Sequence, residues 1–193
     1  MDLFADDPRP QQVVHDTEGG IRYWPRLVDA ETADAWFEAL RDAPWGTHRR
    51  PMYDRVVDVP RLLSSFAVGR WPAALPLDAI LARVQALAPA PYNAVGMNFY
   101  RDGRDSVAMH NDKLHTIVPG EPIALVSLGE PRRMRIKPKA APGRIDLDLA
   151  HGSLLVMSHA SQLTHEHGIP KTTRPAGPRM SVVFRVRPPA HAG

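Results

Sequence analysis

A chain of 193 residues, 44% hydrophobic and 23% charged, is long enough to bury a substantial core and reads as a water-soluble globular protein. No apolar run approaches the ~20 residues that a membrane span needs, and the acidic start Met1-Asp2-Leu3-Phe4-Ala5-Asp6-Asp7 lacks the layout of a signal peptide. Cysteine is absent, which excludes disulfides and thiolate metal sites and suits a cytoplasmic location.

The net charge of +3 is unevenly spread. Residues 1–90 carry 10 Lys/Arg against 13 Asp/Glu, whereas residues 91–193 carry 14 against 8. The basic half suits a polyanionic or carboxylate-bearing partner, or else a solvated basic face.

Residues 1–20 show no period and are expected to be a flexible N-terminal arm ahead of a single domain, 21–193. Ile21 to Val28 reads as a short strand. Asp29 is placed to cap a helix over Ala30 to Ala43, with Ala33, Trp36, Phe37 and Leu40 on one apolar face and Pro44 as the stop. Residues 46–70 are basic in patches, and Pro51 and Pro60 argue against ordinary central strands. We read this stretch as a mobile substrate lid that carries Arg49, Arg50, Arg55, Arg61 and Arg70. A second helix is expected over Asp78 to Ala88.

From Val95 onward the period changes to two. Runs at Ala94–Tyr100, Ile123–Leu128, Arg133–Lys137, Ile145–Leu149, Ser153–Met157 and Arg179–Arg187 are separated by Gly/Pro turns. Many short strands without intervening helices predict an α+β, mainly β chain. Its core should be a sandwich or barrel such as a jelly roll, with the helices packed outside.

His110-Asn111-Asp112 holds an imidazole and a carboxylate two residues apart, a spacing that puts both on one side of an extended strand. A third metal ligand is available downstream in Thr164-His165-Glu166-His167. His165 and His167 share a strand face, so either could serve. Two His and one carboxylate form the facial triad of non-haem Fe(II) oxygenases. On the last strand Arg179, Ser181, Val183 and Arg185 share one face, opposite an apolar face of Met180, Val182, Phe184 and Val186. Two inward arginines need anionic partners, and a dicarboxylate would supply them.

Asn98-Phe99-Tyr100, Asp102-Gly103 and His110-Asn111-Asp112 together resemble the cosubstrate and iron motifs of AlkB-type dioxygenases. His151-Gly152-Ser153, His167-Gly168-Ile169-Pro170 and Pro178-Arg179-x-Ser181-x-x-Phe184-Arg185 resemble that family's later elements, with Ser181 in place of the usual Asn. The resemblance covers residues 91–187 and reaches weakly to Val59-Pro60-Arg61-Leu62. It implies a double-stranded β-helix core with Fe(II) on His110, Asp112 and His167, the last preferred over His165 because Gly-Ile-Pro follows it. It implies 2-oxoglutarate held by Asn98, Tyr100, Arg179, Ser181 and Arg185, with O2 as the third reactant. Arg179 and Tyr100 would take the distal carboxylate, and Arg185 and Asn98 the end near the iron.

The implied activity is oxidative demethylation of N-alkylated bases in DNA or RNA by a monomer, on a single-stranded or flipped-out base. The alternative is a same-fold oxygenase acting on a small molecule or a protein. Leu114 stands where many members carry an acid that touches the base. Arg61, Phe66, Leu114 and His115 are the substrate-side candidates.

Overall fold

The computed structural model describes residues 9–52 and 55–189, without the side chains of 49–58. In chain order the elements are β1 (Gln11–Val14), β2 (Ile21–Trp24), α1 (Ala30–Leu40), β3 (Arg49–Met52), β4 (Arg55–Asp58), β5 (Leu62–Ala67), α2 (Leu77–Leu87), β6 (Ala94–Tyr100) and β7 (Val107–His110). There follow β8 (Ile123–Gly129), β9 (Arg132–Pro138), β10 (Ile145–Leu149), β11 (Ser153–Met157), α3 (His159–Thr164), β12 (His165–Ile169) and β13 (Arg179–Arg185).

Seven strands form one antiparallel sheet in the order β1-β2-β11-β8-β13-β6-β5. Four form a second, β10-β9-β12-β7, while β3 and β4 pair only with each other. The strict alternation read in the C-terminal half determines which residue faces which layer. One face of the large sheet presents Met97, Val126, Leu154, Val182 and Phe184 to Trp36, Leu40, Ile80 and Val84 of the two long helices. The other face presents Tyr23, Leu125, Leu155 and Val183 to Met134, Ile136 and Ile169 of the small sheet. This is the two-layer jelly-roll arrangement with helices on the outside.

Both long helices end one to three residues earlier than the sequence predicts. Asp29 accepts from the Thr32 N–H at 2.8 Å and starts α1. At its far end the Leu40 carbonyl accepts from the Trp45 indole at 3.0 Å, so side-chain capping ends the helix before Pro44 does.

Two expectations need correction. The N-terminal arm contains a strand: β1 pairs with β2 along the sheet edge. Backbone pairing orders it without an apolar pattern, so periodicity gave no sign of it. The lid stretch 46–70 is not one unit either. Its second half is β5, an edge strand paired with β6 from Leu62↔Phe99 to Ala67↔Ala94. Pro60 lies just before that strand, where a missing N–H breaks no ladder bond. Only β3 and β4 stand apart from the sheets, and the side chains of Arg49, Arg50 and Arg55 lie outside the described residues.

Phe184 is fully buried between the sheet and the helices, 6.1 Å from the Tyr92 ring centroid. Replacing it with Ala should destabilise the protein by about 3–5 kcal/mol in denaturant unfolding. A loss below about 1 kcal/mol, the scale of a volume-conserving swap, would contradict this packing.

Candidate active site

Between the two sheets a cavity of about 110 Å³ is walled by His110 and His167 at one side and by Arg179, Ser181 and Arg185 of β13 at the other. Asn98, Tyr100 and Arg61 complete its polar lining, and its apolar lining includes Leu125, Met134 and Ile169.

His110 and His167 stand directly opposite each other on β7 and β12, their ring centroids 4.6 Å apart. Two residues of β7 oppose one of β12 between His167 and Ile169. That extra residue matters. Val107 and His110 are three apart, a spacing that would turn them to opposite faces of a regular strand, yet both line the cavity. Gly168 makes the bulge possible: a Cβ there would lie 2.9 Å from the Val107 carbonyl oxygen.

Asp112 lies beyond the end of β7, so strand geometry does not aim its carboxylate as the sequence suggests. Two contacts hold it instead. Its backbone N–H donates to Gln162 Oε1 of α3 at 3.0 Å, and its carboxylate pairs with Arg185 through Nε at 2.5 Å and Nη2 at 3.2 Å. Ligand atoms of His110, Asp112 and His167 then lie within 4.8 Å of one another. His165, the rival, is not part of this cluster; its Nδ1 meets the Thr164 hydroxyl at 2.9 Å.

Protonation favours metal binding. Burial pushes the His167 imidazole down to about 3, helped by the neighbouring His110 and Arg185 and opposed by Asp112. The ring therefore stays neutral with a free lone pair. Burial acts to raise the Asp112 carboxyl, but the Arg185 guanidinium, His167 and His110 outweigh it and keep the group below its ordinary range. His110 Nδ1 meets the Ala108 carbonyl at 2.9 Å. A carbonyl can only accept, so in the neutral ring Nε2 carries the lone pair. Two imidazoles, that of His167 held neutral, with an ionised carboxylate form a donor set that fits a divalent ion of the iron type.

The opposite wall fits a carboxylate. Arg179 is fully buried. Its Nε donates to Ser127 Oγ at 3.0 Å, while Nη1 and Nη2 have no hydrogen-bond partner among the described residues. The Tyr100 ring lies 5.0 Å from its guanidinium carbon. Asn98 and Ser181 are bonded to each other across β6 and β13, Nδ2 to Oγ at 3.1 Å.

Among the substrate-side candidates, Arg61 lines the cavity, and Leu114 and His115 are exposed in the turn just after Asp112. Phe66 is misplaced by the sequence reading: it is opposite Val95 on β5 and packs with the helix-side core, on the far face of the sheet.

The sequence reading missed two residues. Arg132 is buried, with its guanidinium carbon 5.8 Å from the Tyr100 ring centroid, and donates to the carbonyls of Asp102, Asp105 and Pro170. Starting β9 one residue earlier would have exposed it, since Arg132 alternates with the inward Met134 and Ile136. Gln162 sits in a six-residue helix too short to show a period, and no sequence signal marked it.

Gln162→Leu should weaken Mn(II) binding about 10- to 100-fold in calorimetry, as loss of a ligand-orienting partner does. Unchanged affinity in a folded variant would show that Asp112 needs no such anchor.

Comparison with known proteins follows the same lines. Residues 63–185 match the 2OG-Fe(II) oxygenase superfamily. The mouse protein named alpha-ketoglutarate-dependent dioxygenase alkB homolog 3 is 30% identical over 183 residues, covering 84% of this chain and 64% of its own length. The human DNA oxidative demethylase ALKBH2 is 33% identical over 117 residues, 56% of this chain and 45% of that one. The chain thus spans less than two thirds of these relatives. Among solved structures, OsALKBH1 superposes with a TM-score of 0.58 at 17% identity, covering 87% of this chain and 97% of that one. An oxygenase from Burkholderia pseudomallei gives 0.59 at 15%, covering 86% and 84%. Membership implies Fe(II), 2-oxoglutarate and O2 as the reacting partners. A family match over most of the chain, on a jelly roll whose cavity carries a His-Asp-His cluster facing a buried arginine, makes this chain a member of the 2OG-Fe(II) oxygenase superfamily, similar within it to the alkB homologues.

Proposed function

We propose that the protein is an Fe(II)- and 2-oxoglutarate-dependent dioxygenase that oxidatively demethylates N-alkylated bases in nucleic acid. The observation that carries the proposal is Arg179: a fully buried guanidinium with two nitrogens that have no hydrogen-bond partner among the described residues, on the cavity wall across from the His-Asp-His cluster. A buried cation of this kind calls for an anion, and its paired donors match a carboxylate. The relatives named as alkB homologues and DNA oxidative demethylases point to the same chemistry.

In this reading His110, Asp112 and His167 hold the metal, and Arg179 with Tyr100 binds the distal carboxylate of 2-oxoglutarate. Asn98, Ser181 and Arg185 line the route between the two. Iron and 2-oxoglutarate together supply dioxygen activation, with loss of CO2 and formation of succinate. The residues of the chain fix orientation and keep water out: Leu125, Met134 and Ile169 form the apolar part of the wall. Hydroxylation of an N-methyl carbon then releases formaldehyde and restores the base. We place this activity in a cytoplasmic monomer that takes a single-stranded or flipped-out base past Leu114 and His115. The lack of cysteine suits a reducing compartment.

A second reading, demethylation or hydroxylation of a small molecule or a protein, draws on Leu114. It is a 36% exposed apolar residue beside the metal cluster, where a base-contacting acid would be expected.

Purified protein with Fe(II) and 2-oxoglutarate should release formaldehyde from N-methylated oligonucleotides in step with succinate. Succinate formation without oligonucleotide-dependent formaldehyde would select the second reading. Arg179→Ala should raise KM for 2-oxoglutarate about 10- to 100-fold, as loss of a charged hydrogen-bonded pair implies. An unchanged KM would remove Arg179 from the cosubstrate site.

A further inference from the structure

Arg61 comes from the Pro-Arg stretch that the sequence suggests for substrate contact. Its side chain is also hydrogen-bonded into the cavity wall. Nε donates to Asn98 Oδ1 at 2.7 Å and Nη1 to the Ser106 carbonyl at 3.2 Å. Asn98 Nδ2 in turn donates to Ser181 Oγ at 3.1 Å. The three side chains thus form a chain of hydrogen bonds from the start of the edge strand into the cavity wall.

The direction of that chain is fixed by chemistry. A guanidinium has donors and no acceptor. The amide atom facing Arg61 must therefore be the Asn98 oxygen, which leaves the amide nitrogen toward Ser181. Ser181 Oγ accepts that bond, so its own proton has to point elsewhere. Ser181 is 1% exposed, lines the cavity and makes no other hydrogen bond among the described residues. Without Arg61 the amide could turn over, present its oxygen to Ser181 and draw the hydroxyl proton away from the cavity.

We propose that Arg61 is a positioning residue that polarises the Arg61–Asn98–Ser181 chain, so that the Ser181 hydroxyl donates to an acceptor oxygen of 2-oxoglutarate. The inference rests on the cavity being the 2-oxoglutarate seat. It assigns Arg61 a role in cosubstrate affinity that needs no nucleic acid. It also explains how Ser181, shorter than an Asn, serves at its position: the hydroxyl is supplied with one donor and is left with one direction in which to donate.

The test is calorimetric titration of Mn(II)-loaded protein with 2-oxoglutarate, without oligonucleotide. Arg61→Met should raise Kd about tenfold, as loss of a hydrogen bond to a charged ligand does. Arg61→Lys, still a donor without an acceptor, should recover much of the affinity. Ser181→Ala should weaken binding by a similar factor, and adding Arg61→Met to Ser181→Ala should change little, because the hydroxyl through which Arg61 acts is gone. Additive effects of the two substitutions would overturn the inference and make Arg61 an independent electrostatic contact. So would a Kd for Arg61→Met within twofold of wild type. A wild-type protein that binds no 2-oxoglutarate would overturn the cosubstrate reading itself, and this inference with it.

Discussion

At the centre of the two-layer fold sits a guanidinium that no carboxylate among the described residues neutralises. Arg179 is surrounded by Tyr100, Ser127 and a second buried cation, Arg132. Burial depresses its affinity for the proton, and Arg132 adds to that, while Tyr100 opposes it. An arginine remains charged even so. Holding an uncompensated ion there costs several kcal/mol. The alternation of β13 makes the arrangement possible. Its odd residues carry the cation wall, and its even residues, Met180, Val182 and Phe184, lock the strand against the helices.

Charge elsewhere is organised to leave that wall alone. The basic excess of the C-terminal half suggests a polyanion-binding face, and five of its arginines are held by carboxylates of the same half. Arg133 pairs with Asp148, Arg135 and Arg144 with Asp146, Arg101 with Asp105 and Arg104 with Asp102. Exposed pairs of this sort contribute little stability. Those of Arg133, Arg135 and Arg144 join β9 and the start of β10, and those of Arg101 and Arg104 lie in the connection between β6 and β7. The excess of positive charge in that half therefore resides on its other Lys and Arg residues.

How far the site was legible follows from the range of each signal. Period-two alternation is local, so the strands of the C-terminal half and the shared face of Arg179, Ser181 and Arg185 could be read directly, while Asn98 and Tyr100 came from the family resemblance. The bulge that aligns His110 with His167 depends on pairing between distant strands, and only Gly168 hinted at it. Gln162 acts through one side chain on a short helix. Phe66 is an aromatic at a suggestive position, but the register of β5 on β6 turned it to the other face. Arg61 was noticed as part of the Pro-Arg stretch, but its hydrogen bond to Asn98 joins distant parts of the chain and left no local signal.

The account stands on Arg179 being completed by the far carboxylate of 2-oxoglutarate. The most direct measurement is a crystal structure of the Mn(II) and 2-oxoglutarate complex grown without oxygen. It should show both Nη atoms of Arg179 within about 3 Å of the distal carboxylate oxygens, with the keto-acid end toward His110, Asp112 and His167. A bound 2-oxoglutarate that leaves Arg179 without contact would contradict the account.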